Sequence, residues 1–185
     1  VECGSPPTFA LNEPGGIVSA SVADLVSGPV AASVSAPAST TDVGGFSALL
    51  TGEDVAGRSS TVSCGYSVGY VFTGFDSPVD NPPLVNRANA GRAIPVKWRV
   101  TDHAGVGISD PSHFVSLTSG SVTCDGGDPQ DAIETYSGSS GLQYHGDGYW
   151  QFNWKTPKSY AGQCRVMSLN LADGLTGRTA AFQFF

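Results

Sequence analysis

Gly65-Tyr66-Ser67-Val68-Gly69 has the GxSxG spacing of a serine nucleophile. That chemistry requires a strained strand-to-helix turn that presents the serine oxygen to a histidine and to an oxyanion hole. Here the motif runs straight on into Tyr70-Val71-Phe72, so its glycines read as ordinary strand or bulge positions and not as an elbow. The three histidines lie in the other half of the chain. His103, in Asp102-His103-Ala104-Gly105, and His145, in His145-Gly146-Asp147-Gly148, read as turn residues with exposed rings. There is no HExxH and no close histidine pair that would hold zinc. No catalytic residue is assigned, and the chain is expected not to be an enzyme.

Two acidic, carbonyl-rich loops suit a hard cation better, because calcium collects six to eight oxygens from carboxylates, amides and backbone. One contributes Asp76, Asp80 and Asn81, and the other Asp125, Asp128 and Asp131. Neither has EF-hand spacing, and solvated carboxylates are the commoner fate of such loops. A third constellation is aromatic: Tyr144, Tyr149, Trp150, Phe152, Trp154 and Tyr160 crowd into one stretch. Strand alternation puts Trp150, Phe152 and Trp154 on one face, destined for the core with Trp98, and Tyr149, Gln151 and Asn153 on the other. With Tyr144 and Tyr160 at the strand ends, that second face would offer rings for sugar C–H faces and amides for sugar hydroxyls. Cross-strand tyrosine packing is the bland alternative. Lys97, alone in the apolar run Ile94-Pro95-Val96-Lys97-Trp98, is expected to face solvent opposite Val96 and Trp98. A Lys-Asn crosslink there would need a buried acid beside it.

These residues need elements to hold them, and the composition says which kind. Only 14% of the 185 residues are charged, and 24 are glycine. With abundant serine, threonine, valine and alanine, that favours short strands and tight turns over amphipathic helices. Residues 1–70 carry six acids against Arg58, and residues 71–185 carry ten acids against eight bases, which together make the net charge of -7. No concentrated positive surface is available for phosphates, so nucleic acid is excluded as a partner. No apolar run reaches the roughly 20 residues that span a bilayer. The opening at Val1, without an initiator methionine or signal sequence, reads as a processed or excised fragment.

Strand-like segments recur at 8–11, 17–23, 30–35, 45–51 and 61–68 with turn residues between them, the pattern of a β-sandwich. The proline-rich stretch Ser77-Pro78-Val79-Asp80-Asn81-Pro82-Pro83 interrupts the pattern, and the domain boundary is placed there, giving domains at 1–70 and 71–185. Strands then resume at 93–100, 113–117, 121–124, 132–136, 149–154, 164–171 and 179–185. Cys3, Cys64, Cys124 and Cys164 include no CxxC pair, so two disulfides are the natural reading. Three connectivities exist. If the chain divides near residue 70, only Cys3–Cys64 with Cys124–Cys164 stays within domains. Disulfides of this kind persist in oxidising surroundings and point outside the cytoplasm.

The second half resembles the PxKF or PxKW domain found at the C-terminal ends of extracellular actinobacterial proteins, often after Ig-like repeats. The resemblance is carried by Phe75-Asp76-Ser77-Pro78-Val79-Asp80-Asn81-Pro82-Pro83, Gly91-Arg92-Ala93-Ile94-Pro95-Val96-Lys97-Trp98, Trp154-Lys155-Thr156 and Ala161-Gly162-Gln163-Cys164-Arg165. Leu169-Asn170-Leu171-Ala172-Asp173-Gly174 and Ala181-Phe182-Gln183-Phe184 complete it. More weakly, the first half is similar to bacterial Ig-like or HYR-type repeats through Cys3, Ser27-Gly28, the turn from Gly52 to Gly57 and Thr61-Val62-Ser63-Cys64. The resemblance implies a module attached to proteins of varied activity, with no catalytic residues of its own. The expectation is two consecutive antiparallel β-sandwich, Ig-like domains with one disulfide each. Together they would serve as a secreted or cell-surface spacer, anchor or cap whose partners are other domains of a parent protein. The competing expectation is a carbohydrate-binding module for a polysaccharide or cell-surface glycan, with calcium as the one cofactor considered.

Overall fold

The computed structural model describes residues 1–124, 129–132 and 141–185, the side chains of 129–132 excepted. The chain forms two compact units: Val1–Tyr70 with Asp102–Ala104, and Val71–Thr101 with Gly105–Phe185. The first unit contains β1 (Glu2–Cys3), β2 (Thr8–Ala10), β3 (Ile17–Ser21), β4 (Ser33–Pro37), β5 (Gly44–Glu53) and β6 (Ser59–Gly69). The second contains β7 (Val71–Asp76), β8 (Val85–Ala88), β9 (Ala93–Thr101), β10 (Phe114–Val122), β11 (Pro129–Ala132), β12 (Gly141–Tyr144), β13 (Tyr149–Lys155), β14 (Cys164–Leu171) and β15 (Thr179–Phe184). No α-helix occurs among the described residues, only single 3-10 turns at Pro111–His113 and Lys158–Tyr160.

In the first unit the sheets are β1-β3-β4 and β2-β6-β5. Alternation along β3 turns Val18 and Ala20 inward, where they meet Leu50 of β5 and Cys64, Tyr66 and Val68 of β6. This is a thin core of mostly small side chains. Two ties reinforce it. The Cys3–Cys64 disulfide joins β1 of one sheet to β6 of the other, and the Tyr66 hydroxyl donates to the Ser39 carbonyl and accepts from its N–H, both at 3.2 Å. Closing a loop of this size contributes on the order of 4 kcal/mol in the chain-entropy account. Gly65 and Ser67 lie within the continuous β6 ladder with β5, so the GxSxG segment is extended strand from end to end.

The second unit packs β12-β13-β9-β7 against β10-β14-β15-β8-β11. Ile94, Val96, Trp98 and Val100 of β9 are wholly buried, and Met167, Leu169, Leu171, Ala180, Phe182 and Phe184 answer from the other sheet. Trp150 and Trp154 join them, while Phe152 stacks on Phe114 at 5.0 Å. Cys124–Cys164 staples the end of β10 to the start of β14. Pairing is antiparallel except for β2 with β6 and β8 with both β15 and β11.

The structure differs locally from the sequence expectations at three points. The run Thr118-Ser119-Gly120 looks like a break between two strands, yet β10 passes through it unbroken because β14 offers a partner for every residue from Ser116 to Val122. The proline-rich stretch from Ser77 to Pro83 lies inside the second unit, where it links β7 to β8. β8 and β12 are too short to show a period and are legible only through their ladders. Of the strand expected at 132–136, only Ala132, the last residue of β11, falls among the described residues.

One buried ion pair closes the β14–β15 turn. Arg178 donates to both carboxylate oxygens of Asp173, at 2.9 and 2.6 Å, with both side chains almost fully buried. Arg178 also lies over the Phe72 ring at 5.6 Å. Truncating one member of such a pair leaves the other charge uncompensated in a poorly solvated place. Arg178→Leu is therefore expected to cost about 3–5 kcal/mol in urea unfolding, and Arg178→Leu combined with Asp173→Asn to recover part of that loss.

Candidate functional site

The outward face of β9 follows from the same alternation that buries its inward one. With Val96, Trp98 and Val100 in the core, Lys97 and Arg99 must point to the opposite side. Register then determines their neighbours: Lys97 lies opposite Asp76 of β7 and Gln151 of β13, and Arg99 opposite Tyr149. Asp76, Lys97, His145, Tyr149, Trp150 and Gln151 line a surface pocket of about 270 Å³. That is just below the ~300 Å³ at which small-molecule sites begin. The volume suits one ring.

The turn that forms one wall is built by glycine. Asp147 adopts φ 48° and Gly148 φ 76°, and a Cβ on Gly148 would collide with the Val100 carbonyl and the Gly107 backbone. The close approach allows the Gly148 carbonyl to accept from Val100 N–H at 3.0 Å. Arg99 holds the turn from the other side through the Asp147 carbonyl at 2.9 Å, the Asp147 carboxylate at 2.8 Å and the Gly105 carbonyl at 3.4 Å. Its guanidinium also lies 5.3 Å from the Tyr149 ring centre, so Arg99 positions the ring that borders the pocket. Gln151 donates to the Asn153 side-chain oxygen at 2.7 Å.

Of the five residues expected to form a carbohydrate surface, the structure brings Tyr149 and Gln151 to the pocket. Asn153 shares their face but is buried, where it serves as the acceptor for Gln151. Tyr144 pairs with Trp150 across the β12–β13 hairpin, rings 4.6 Å apart, and so belongs to the opposite face. Tyr160 lies elsewhere, stacked under Arg165 at 3.8 Å and against Phe184. Both were placed at strand ends, where the alternation rule gives no side. Lys97 is legible as an outward residue from the sequence, but only the register shows that Asp76 and Gln151 meet it and that Arg99 stands beside Tyr149.

The calcium expectations fare differently by loop. Asp125 and Asp128 lie outside the described residues, as does the side chain of Asp131. In the other loop the Asn81 amide accepts from Phe75 N–H at 2.7 Å and donates to the Phe75 carbonyl at 2.8 Å. The Asn86 amide clasps Asp80 in the same way, at 2.8 and 3.0 Å. These clasps engage the Asn81 amide oxygen and the Phe75 and Asp80 backbone carbonyls, while Asp76 turns to the pocket. Among the described residues no three His, Cys, Asp or Glu side chains gather closely enough to hold an ion.

Beneath the site, His113 is buried against Trp150, rings 4.5 Å apart, with Nδ1 2.8 Å from the Asp110 carbonyl. Burial pushes its pKa below the ordinary 6.5, against the opposing pull of Asp110 and Asp173. The exposed Asp110 carboxylate is itself held low by the Ser112 N–H it accepts.

No family model and no curated protein matches the chain. Among solved structures it is similar to a chimeric titin Z1Z2-Z1Z2 tandem functionalized with a GRGDS exogenous peptide from fibronectin, at 12% identity and a TM-score of 0.32, covering 100% of this chain and 96% of that one. It is also similar to the Sidekick-1 immunoglobulin domains 1–5, at 10% identity and a TM-score of 0.27, covering 100% of this chain and 38% of that one. Drosophila OTK extracellular domains 3–5 match at 8% identity and a TM-score of 0.27, over 99% of this chain and 60% of that one. The Ig-like β-sandwich assignment rests on the four sheets and two disulfides described above.

The histidine carries a pH consequence. A histidine whose folded pKa lies below its unfolded value favours the unfolded state once protons become available, so the stability it permits is present above 6.5 and drains away as pH falls below that value. The melting temperature is expected to drop between about pH 7.5 and about pH 5.5. In His113→Gln the drop over the same interval should be smaller, as read by calorimetry on each protein against itself.

Proposed function

We propose that this chain is a non-catalytic accessory region of a larger extracellular protein: a spacer, anchor or C-terminal cap with a structural and adhesive role. The observation that carries this reading is the disulfide stapling of each unit, across the sheets in the first and along one sheet in the second. Such bonds favour an oxidising, extracellular setting. The Pro95-x-Lys97-Trp98 pattern supports a PxKF/PxKW-type second domain, since it supplies the buried Trp98 and the outward Lys97 of one central strand. That type implies an actinobacterial secreted protein. No helix among the described residues is long and apolar enough to cross a membrane. The partners of this reading are the parent protein's other domains.

A spacer must keep its length under load. Cys3–Cys64 encloses a sequence separation of 61 residues, so single-molecule pulling in oxidising buffer should leave that segment unextended. Adding a reductant should lengthen the released chain by roughly 20 nm for this segment. Full extension of the first unit before reduction would count against the reading.

A second reading is favoured by the pocket: a carbohydrate-binding module in which Tyr149 and Gln151 contact the sugar. Purified chain retained by an insoluble polysaccharide, and a folded Tyr149→Ala/Gln151→Ala variant released from it, would support this role. Equal retention of the two would remove it.

A further inference from the structure

Asp76, Lys97 and Gln151 form one row across three neighbouring strands, a carboxylate beside an ammonium beside an amide. On the next row Arg99 is engaged by the Asp147 carbonyl and carboxylate and by the Gly105 carbonyl. The contrast with Lys97 and Asp76 is sharp. Among the described residues, neither the Lys97 ammonium nor the Asp76 carboxylate takes part in a hydrogen bond or ion pair, although they are register partners lining the same pocket. Gln151 spends an N–H on Asn153 and keeps its oxygen free among the described residues. Tyr149, 43% exposed, presents a ring braced by Arg99. The pocket thus offers a charged acceptor, a charged donor and a neutral acceptor beside one aromatic face.

An adjacent acceptor and donor of opposite charge suit a ligand whose neighbouring polar groups can each act as donor or acceptor. Hydroxyl groups do this, and hydrogen bonds to ionised partners are roughly twice as strong as neutral ones. A ligand carboxylate or ammonium is attracted by one member of the pair and repelled by the other, so a single charge gains little net Coulomb energy here and still loses its hydration. Neutral hydroxyls satisfy both members without that cost. We propose that this pocket binds one uncharged sugar ring, with adjacent hydroxyls bridging Asp76 and Lys97, the third row position at Gln151 accepting another, and the ring's C–H face on Tyr149. This rests on the carbohydrate reading above and specifies its ligand class.

The test is a titration of the whole chain, followed through the amide resonances of Lys97, Tyr149 and Gln151, with three ligand sets: neutral methyl hexosides, the corresponding uronates and the corresponding amino sugars. A neutral hexoside should shift these resonances saturably, with the uronate and the amino sugar about tenfold weaker. Asp76→Asn should narrow the gap to the uronate selectively, and Lys97→Met the gap to the amino sugar. Tyr149→Ala should weaken all three together. Thermal melts of each variant separate loss of binding from loss of fold. If no sugar of any class perturbs the folded wild type, the carbohydrate reading itself falls. If a uronate or an amino sugar binds as well as the neutral ring, carbohydrate binding stands and the charge-pair selection is overturned. The same holds if the two charge variants leave the preference unchanged.

Discussion

The alternation of β9 is the constraint on which most of the second unit hangs. Ile94, Val96, Trp98 and Val100 are wholly buried on one side of this strand, and Lys97 and Arg99 stand on the other. Because the side-chain period is two, a slip of one residue would drive both cations into the core and expose the largest apolar side chain of the sheet. Trp98 alone makes that slip prohibitive, since burying a large apolar side chain contributes about 1.5–3 kcal/mol and burying an unpaired charge costs far more. The register that satisfies Trp98 is also the one that sets Lys97 beside Asp76 and Gln151, and Arg99 beside Tyr149. Core and pocket are two faces of a single pairing decision.

How much of this was legible depended on the range of the physics involved. Residue-level periodicity identifies Trp98, Trp150 and Trp154 as core and Lys97 as outward, because alternation is local. The cysteine pairing follows once the chain is divided, since topology then leaves one choice within each half. What periodicity cannot supply is the partner of each strand. Asp76 and Lys97 lie far apart in sequence and meet only because β7 pairs with β9, and Tyr144 shares the side of Trp150 because the hairpin turn at His145 to Gly148 sets the two as partners. β10 shows the same limit in another form: Ser119-Gly120 looks like a turn until the full-length β14 ladder overrides it.

Two asparagines illustrate how side chains take over where backbone pairing stops. Asn81 and Asn86 each clasp both polar groups of a residue six positions earlier in the chain, Phe75 and Asp80 respectively. An amide matches a peptide group donor for acceptor, so it satisfies backbone that the intervening prolines cannot. Asn86 adds a bond to the Ala181 carbonyl and so ties the loop to β15. Of the Asp, Asn and carbonyl groups that suggest an ion from sequence, the Asn81 amide and the Phe75 and Asp80 backbone are here joined in polar closures of the chain itself.

The thin core of the first unit has a consequence for how the chain comes to be made. Val18, Ala20, Leu50, Tyr66 and Val68 bury little compared with the aromatic core of the second unit. Total stabilities of small domains are only about 5–15 kcal/mol, and removing a native disulfide typically costs about 2–5. With Cys3 and Cys64 reduced, the first unit loses a large share of so small a margin. Folding of this unit is thereby coupled to the redox state of its surroundings, and the bond between β1 and β6 works as a latch that closes only where thiols are oxidised.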